Sequence, residues 1–151
     1  MNVNAVARET GIIEGPKLGL LIMGRKRPGF DPAWGTEVKG KIKEAVVSLA
    51  LEVTTPSENI ADETELRRSV EACRSAGVTT LIVVQPTISD VRLAPMLSPL
   101  WDKPLLLWAT TEKQTSTMIS ANSLVGTHAM GATLRQLGHP LEVVYGHPED
   151  A

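Results

Sequence analysis

The sequence TTLIVVQPT at residues 79–87 decides the fold of this chain. Residues 79–84 are all β-branched or apolar, so they predict a strand that is buried on both of its faces. A strand with one solvated face would instead alternate apolar and polar side chains. A strand of this kind requires helices above and below a parallel sheet, which is an α/β architecture.

The same two kinds of segment alternate along the rest of the chain. Further strands are predicted at residues 17–23, 51–54, 104–108 and 141–145, and helical stretches at residues 32–50, 62–76, 87–100 and 122–137. The alternation implies βαβ units with right-handed crossovers. We therefore predict a flavodoxin-like, doubly wound three-layer α/β domain with a five-stranded parallel sheet. Residues 1–16 show no strong periodicity of apolar residues and are interpreted as a flexible arm, which leaves residues 17–151 as one domain.

Turn and capping residues mark the helix ends. Asp31 before Pro32 is typical of an N-cap followed by a first-turn proline. The sequence DETE at residues 62–65 predicts a capping box. Gly77 and Gly138 are predicted to end the helices that precede them.

Composition excludes several functional classes. The chain has 151 residues and a formal net charge of −2, so the basic surface of a nucleic-acid-binding protein is not expected. Its one cysteine, Cys73, cannot form an intrachain disulfide, which favours a reducing, cytoplasmic location. No apolar run approaches the roughly 20 residues of a membrane span, and we expect no membrane partner.

The fifth predicted strand lacks a following helix in this sequence. Only six residues come after Tyr145, whereas doubly wound domains usually cover the last strand with another helix. We expect one sheet face beside this strand to be bare and apolar unless the N-terminal arm or another chain covers it. Such a face would mark an interface, and a protected edge strand is the alternative.

The carboxyl ends of the predicted strands are where an open parallel sheet binds its ligands. They fall at residues 24–25, 54–55, 85–87, 109–111 and 146–147, and they are rich in hydroxyl, amide and imidazole groups with few acids. The sequence contains no G-x-G-x-x-G after the first strand, no phosphate-binding P-loop and no G-x-S-x-G. Dinucleotide, nucleotide and serine-hydrolase sites are therefore disfavoured.

A complete metal site is not expected within this chain. His128, His139 and His147 do not pair with another histidine, cysteine or acid at ligand spacing on one element. Cys73 lies in the middle of a predicted helix and is interpreted as a small buried hydrophobe, with a reactive thiol as the alternative.

The densest positive cluster is Arg25, Lys26 and Arg27, which follows the first strand. A guanidinium at this position could bind a hydroxyl pair, a carboxylate or a phosphate. The alternative is a solvated basic loop, and the residues alone do not decide between the two.

The start of the last predicted helix is the other candidate region. Asn122, Ser123 and His128 flank it, and the helix contains Gly126 and Gly131, which reduce helix stability. Close packing of the backbone, the approach of a ligand or a partner helix would each explain the two glycines.

Four segments resemble the L-fucose isomerase and L-arabinose isomerase family. They are LLIMGR at residues 20–25, LIVVQPTIS at 81–89, PLLLWA at 104–109 and SANSLVGTHAMG at 120–131. Their order and spacing resemble those of the family's first strand and turn, third strand, "PLL" strand and Asn-rich helix start. The resemblance covers roughly residues 17–147.

The resemblance implies part of an aldose–ketose isomerase. Family members isomerise sugars through a cis-enediol with a divalent metal, usually manganese, whose ligands and catalytic carboxylates come from later domains. The chain thus resembles the N-terminal domain or a fragment of such an enzyme, with no catalytic residue and no cofactor of its own. It is expected to cover substrate and to make oligomer contacts, and to be inactive when isolated.

By position, the resemblance implies that six residues contact substrate hydroxyls: Arg25, Gln85, Thr87, Asn122, Ser123 and His128. The implied partners are a sugar at a subunit interface and either further copies of the chain or a catalytic half. The turn after the first strand continues as Lys26-Arg27-Pro28, which is more basic than the family pattern, so the identity of the sugar stays open. The alternative is a free-standing flavodoxin-like module that binds a small polyol or an anion.

Overall fold

The computed structural model describes residues 15–27 and 30–150. Five strands form one all-parallel sheet in the order β2-β1-β3-β4-β5. The strands are β1 (Leu18–Ile22), β2 (Val53–Thr54), β3 (Thr80–Gln85), β4 (Leu105–Ala109) and β5 (Leu141–Tyr145). The helices are α1 (Pro32–Ser48), α2 (Glu63–Ser75), α3 (Ala94–Leu100) and α4 (Ser123–Gln136), with 3₁₀ turns at Val91–Leu93 and Pro148–Asp150.

This sheet confirms the predicted α/β class with five parallel strands. The strand order is the flavodoxin-like one, in which β1 and β3 are neighbours and their connections leave on opposite sides. The predicted arm at residues 1–16 lies outside the described residues except for its last two positions.

The central strand β3 is buried on both faces, as its sequence predicts. Leu81 and Val83 point into a core that is shared with α2, α3 and α4. Ile82 and Val84 point the other way, into a smaller core beneath α1. Because successive side chains of a strand alternate between faces, one apolar run supplies both cores.

Close packing of α2 on the sheet explains two small residues. A Cβ on Gly19 of β1 would lie 2.8 Å from the sulfur of Cys73, so only glycine permits this approach. Cys73 is fully buried, and burial raises the pKa of its thiol to about 11. The interpretation of Cys73 as a buried hydrophobe is confirmed.

Helix starts follow the predicted caps, with one correction. Asp31 accepts a hydrogen bond from the backbone N–H of Trp34 at 3.0 Å, and Asp62 accepts one from that of Glu65 at 2.9 Å. The predicted capping box at 62–65 is incomplete, because the Glu65 carboxylate does not return a bond to residue 62 within the described residues. It accepts instead from the hydroxyl of Ser57 at 3.1 Å and pairs with Arg68 at 2.8 Å.

Several predicted boundaries also need correction. The helix predicted at 32–50 ends at Ser48, because Ala50 adopts a left-handed φ of 55°. The helical stretch predicted at 87–100 begins only at Val91, where Asp90 caps the first 3₁₀ turn through the backbone N–H of Arg92. Gly77 and Gly138 have φ values of 73° and 75°, which confirms them as helix-ending residues.

The sheet face beside β5 on the α1 side is covered by no helix of the described chain. A groove of about 360 Å³ lies there between α1 and β5, lined by apolar residues that include Val46, Leu49, Leu106 and Trp108. Val144 on β5 also lines it and is 42% exposed. Among the described residues this apolar face is partly exposed, and whether the arm or another chain covers it stays a prediction.

None of the helices in the described ranges has both the length and the apolar character that crossing a bilayer would require.

Candidate functional site

The loop that follows β1 is held firmly at the carboxyl edge of the sheet. The backbone N–H of Met23 donates to the carbonyl of Val84, and that of Gly24 donates to the carbonyl of Ile60, both at 2.9 Å. The side-chain amide of Asn59 donates to the carbonyl of Arg25 at 3.4 Å. A Cβ on Gly24 would overlap the Asn59 side chain, so a larger residue here would displace Asn59. The backbone of Arg25 is thus fixed, while its side chain is exposed.

A cavity of about 300 Å³ opens beside Arg25. Its lining brings together hydroxyl, amide and cationic groups from four chain segments: Arg25, Thr36, Lys39, Asn59 and Thr87. The start of α1 is tight against this cavity, because a Cβ on Gly35 would lie 3.0 Å from the methyl group of Thr87. Two of the residues predicted to contact substrate, Arg25 and Thr87, therefore share one cavity.

A larger cleft of about 540 Å³ lies on the other side of Arg25. Lys26, Arg27 and Arg92 also line it, so four cationic side chains meet there. Acidic residues of the cleft are engaged by some of these cations: Lys26 Nζ lies 3.0 Å from an Asp62 carboxylate oxygen.

Asp90 and Arg92 form the second ion pair of this cleft. The guanidinium donates to both carboxylate oxygens of Asp90, from Nε at 2.9 and 3.1 Å and from Nη2 at 2.6 Å. These bonds from Arg92 lower the pKa of Asp90, with a smaller contribution from the charge of Arg25. The charge of Arg25 therefore acts within the same cleft.

Gln85 and Ser123 are buried beneath the rim and form internal hydrogen bonds. Gln85 is 2% exposed, and its side-chain oxygen accepts from the backbone N–H of Ser89 at 2.8 Å. Ser123 is fully buried, and its hydroxyl oxygen accepts from the N–H of Thr110 at 2.9 Å. A Cβ on Gly126 would overlap Gln85, so close packing against β3 explains this glycine. Whether Gln85 or Ser123 contacts a substrate stays a prediction.

Asn122 and His128 occupy different surroundings. Asn122 precedes α4 with a left-handed φ of 54°, is half-buried, and its side chain forms no capping hydrogen bond. His128 lies on the exposed surface of α4 and lines neither of the two cavities beside Arg25. The structure therefore groups Arg25 with Thr87, and it does not place His128 in either cavity. Its predicted substrate contact also stays a prediction.

Glu112 is the residue of this edge that the sequence analysis missed. One carboxylate oxygen accepts from the N–H and hydroxyl of Ser120, both at 2.7 Å, and from the N–H of Ala121 at 2.8 Å. The other accepts from the N–H of Asn122 at 2.5 Å. Burial, the largest single influence, raises the pKa of Glu112, but the hydrogen bonds together outweigh it and the pKa is lowered. One acid thus holds the segment that presents Asn122.

Three buried hydroxyls at this edge form no hydrogen bond within the described residues: those of Ser89, Thr110 and Thr127. Each of these residues is at most 2% exposed. Buried hydroxyls normally find a hydrogen-bond partner. The layer beneath the rim therefore contains polar groups whose hydrogen-bonding capacity the described residues leave unused.

The manganese that the family resemblance implies does not fit the donor set described here. No three His, Cys, Asp or Glu side chains of residues 15–27 and 30–150 come together as metal ligands would. His139 is 7% exposed, and its ring nitrogens contact the carbonyl of Lys103 at 2.9 Å and the hydroxyl of Ser98 at 3.3 Å. We therefore assign no metal-dependent step to these residues.

Comparison with known proteins finds a low similarity to a sugar isomerase. The chain is 21% identical over 98 residues, 65% of its length, to the sulfoquinovose isomerases of Priestia aryabhattai and Priestia megaterium (strain ATCC 12872 / QMB1551). The match spans 22% of the length of each of these relatives. No family model matches the chain.

Among solved structures, an ABC transporter solute binding protein from Bacillus halodurans C-125 with bound myo-inositol superposes with a TM-score of 0.40. The two are 13% identical, and the match covers 88% of this chain and 57% of that one. The comparisons thus support a sugar-isomerase-like relationship for this chain, and they give no evidence for the L-fucose type in particular.

Proposed function

We propose that this chain is the N-terminal domain or a fragment of an aldose–ketose isomerase of the L-fucose/L-arabinose type. Its role is to cover the sugar and to make subunit contacts, while the metal-dependent proton transfer belongs to other domains. The sequence similarity to part of a sugar isomerase supports the isomerase-like relationship. The L-fucose type rests on the four resembling segments alone.

The observation that carries the proposal is the 300 Å³ cavity beside Arg25. Sugar hydroxyls both donate and accept hydrogen bonds, and the cavity offers the hydroxyls of Thr36 and Thr87, the amide of Asn59 and the guanidinium of Arg25. Its volume is at the lower end of the range that small-molecule sites occupy, about 300–1,000 Å³. It lies at the carboxyl edge, where parallel sheets bind ligands.

The groove beside β5 supports the subunit contacts of the proposal. Leu49 and Tyr145, which line it, are 52% and 59% exposed, and Val144 also lines it. An apolar surface of this kind is typical of protein–protein contacts. In the proposed enzyme, the groove packs against another copy of the chain or against the catalytic half.

Sugar binding is tested by isothermal titration calorimetry of the purified chain with L-fucose, L-arabinose and D-glucose. We expect heat of binding that Thr87→Val and Arg25→Gln both weaken. Thr133→Val on α4 is the matched control, because the Thr133 hydroxyl bonds the carbonyl of Ala129 within its own helix and no other group of the described residues. Binding that the Thr87 and Arg25 variants leave unchanged would contradict the proposed cavity.

The absence of catalysis is tested with the same purified chain, manganese and the same aldoses. We expect no ketose above background, because the described residues supply no set of metal ligands. Turnover well above background by this chain alone would refute the assignment of catalysis to other domains.

The second candidate is a free-standing module that binds a small polyol or an anion. The four cationic side chains of the 540 Å³ cleft favour it, since they give this edge an anion-binding character without any catalytic group. Sedimentation velocity discriminates between the candidates. Where the groove packs against another copy, the isomerase proposal predicts self-association that Val144→Asp abolishes, whereas a free-standing module is monomeric with either valine or aspartate at position 144.

A further inference from the structure

We infer that the ligand of this edge is a sugar that carries a sulfonate or phosphate group, and that the group binds in the 540 Å³ cleft between Arg25 and Arg27. This inference rests on the proposed sugar-binding function and adds the substrate class to it. The chemistry shared by the two groups is a tetrahedral oxyanion on a terminal carbon, which guanidinium groups bind through paired N–H donors.

The first argument is the balance of charge in the cleft. Of its acids, Asp62 is paired with Lys26, and Asp90 accepts three bonds from Arg92. Glu63, the third acid, is engaged from outside the cleft by Arg67, at 2.6 Å.

Two cations remain after this pairing. Arg25 and Arg27 have no ion pair with any residue of the described ranges, and both side chains are exposed. The residues that line the cleft include four cations and three acids, a surplus of one positive charge, and Arg67 pairs with one of these acids from outside, in a chain whose net charge is −2. A surplus against the overall charge is what attraction of a small anion requires.

The second argument is the position of Arg25 between two cavities. Arg25 lines both the 300 Å³ cavity with its hydroxyl and amide groups and the 540 Å³ cleft with its cations. Arg27 lines only the cleft. A ligand with hydroxyls at one end and an oxyanion at the other would match this arrangement, with Arg25 between its two parts.

The third argument is that the basic loop is fixed where it leaves the sheet. The hydrogen bonds of Gly24 to Ile60 and of Asn59 to Arg25 hold its backbone against the neighbouring segment. A cation whose backbone is held in this way loses less freedom on binding an anion than one on a free loop does.

The test compares three hexoses that differ only at the sixth carbon, which carries a hydroxyl, a phosphate or a sulfonate. Calorimetry on the full chain measures each affinity for the wild type, for Arg27→Gln and for Arg135→Gln. Arg135 is the matched control, because it is an exposed arginine in the last turn of α4, at the opposite edge of the sheet. Circular dichroism checks that each variant is folded.

We expect an anionic hexose to bind more tightly than the neutral one, and Arg27→Gln to weaken only the anionic hexose, by about tenfold or more. Arg135→Gln leaves all affinities unchanged. A phosphate ligand loses affinity below about pH 6, where it takes up a proton, whereas a sulfonate ligand does not. That pH arm identifies which oxyanion the cleft prefers.

Two other results would overturn the inference. Equal affinity for the neutral and anionic hexoses, with no effect of Arg27→Gln, would contradict the oxyanion site but not the proposed sugar-binding cavity. If none of the three hexoses binds, both the proposed function and this inference are contradicted.

Discussion

Replacing Glu112 by glutamine tests the hydrogen-bond network that orders the carboxyl edge. The carboxylate accepts four hydrogen bonds, from two N–H groups and a hydroxyl at one oxygen and from the N–H of Asn122 at the other. Glutamine keeps one acceptor oxygen, but its NH₂ group then faces the N–H of Asn122, so a donor opposes a donor. The remaining bonds also lose their negative acceptor.

The expected cost follows from these losses. A hydrogen bond to a charged group contributes about 1.5–3 kcal/mol, against about 1 kcal/mol for a neutral one, and a buried donor left unpaired adds its own penalty. Because three of the bonds share one oxygen, their contributions are not additive. We expect Glu112→Gln to lower the free energy of unfolding by about 2–4 kcal/mol. This is a large part of the 5–15 kcal/mol that is typical of domains.

The pH dependence of this effect has a definite sign. Since the pKa of Glu112 is lowered in the folded chain, its contribution is complete above the unfolded pKa, about 4.3, and is lost as the pH falls through the folded pKa. Protonated glutamate resembles glutamine, so the difference between wild type and variant should shrink as the pH is lowered.

Urea unfolding followed by tryptophan fluorescence measures this difference at about pH 7 and at about pH 3.5. Glu44→Gln is the matched control, because Glu44 is exposed on α1 and should change stability by less than about 0.5 kcal/mol. The reasoning is refuted if Glu112→Gln costs no more than this control, or if its cost is the same at both pH values.

Three further predictions concern the fold. Gly126→Ala should destabilise the chain by about 1–3 kcal/mol in urea unfolding, because the new methyl group overlaps Gln85, whereas Gly40→Ala, with open space around it, should stabilise by up to about 1 kcal/mol. Cys73, with a pKa of about 11, should react with iodoacetamide near neutral pH only after unfolding, and rapid labelling of the native chain would contradict its burial. Asp62→Ala should cost about 1 kcal/mol through the lost N-cap of α2, and equal urea midpoints would contradict that cap.

The fold could be predicted because its determinants are local in the sequence. The run at 81–84 is apolar at every position, and this alone requires two covered faces. Asp31, Gly77 and Gly138 mark helix ends through their own backbone chemistry, and all three do so in the structure. The capping box failed in part because Glu65 is engaged by Ser57, whose approach depends on tertiary packing, and by Arg68, three residues on in the same helix.

The candidate site was less predictable because it depends on pairings between distant residues. Arg25 and Thr87 are found in one cavity because β1 and β3 are neighbours, and strand order is not encoded in either loop. Glu112 lies eight to ten residues before the groups it binds, and no short motif connects them. The sequence also could not show which cations of the basic loop are paired, because that pairing depends on where the fold places Asp62.

The polar groups of the carboxyl edge divide into two sets with different physical roles. Gln85, Ser123 and Glu112 use their side-chain oxygens in internal hydrogen bonds, so replacing them removes contacts that the folded chain already makes. Arg25 and Arg27 are exposed and carry no ion pair within the described residues, so replacing them removes little from the folded state beyond the small effect of the Arg25 charge on Asp90. Substitutions in the first set should therefore change the free energy of unfolding, and those in the second should change ligand affinity at constant stability. An arginine variant that lost stability as much as Glu112→Gln would show that the basic loop supports the fold and is not free to hold a ligand.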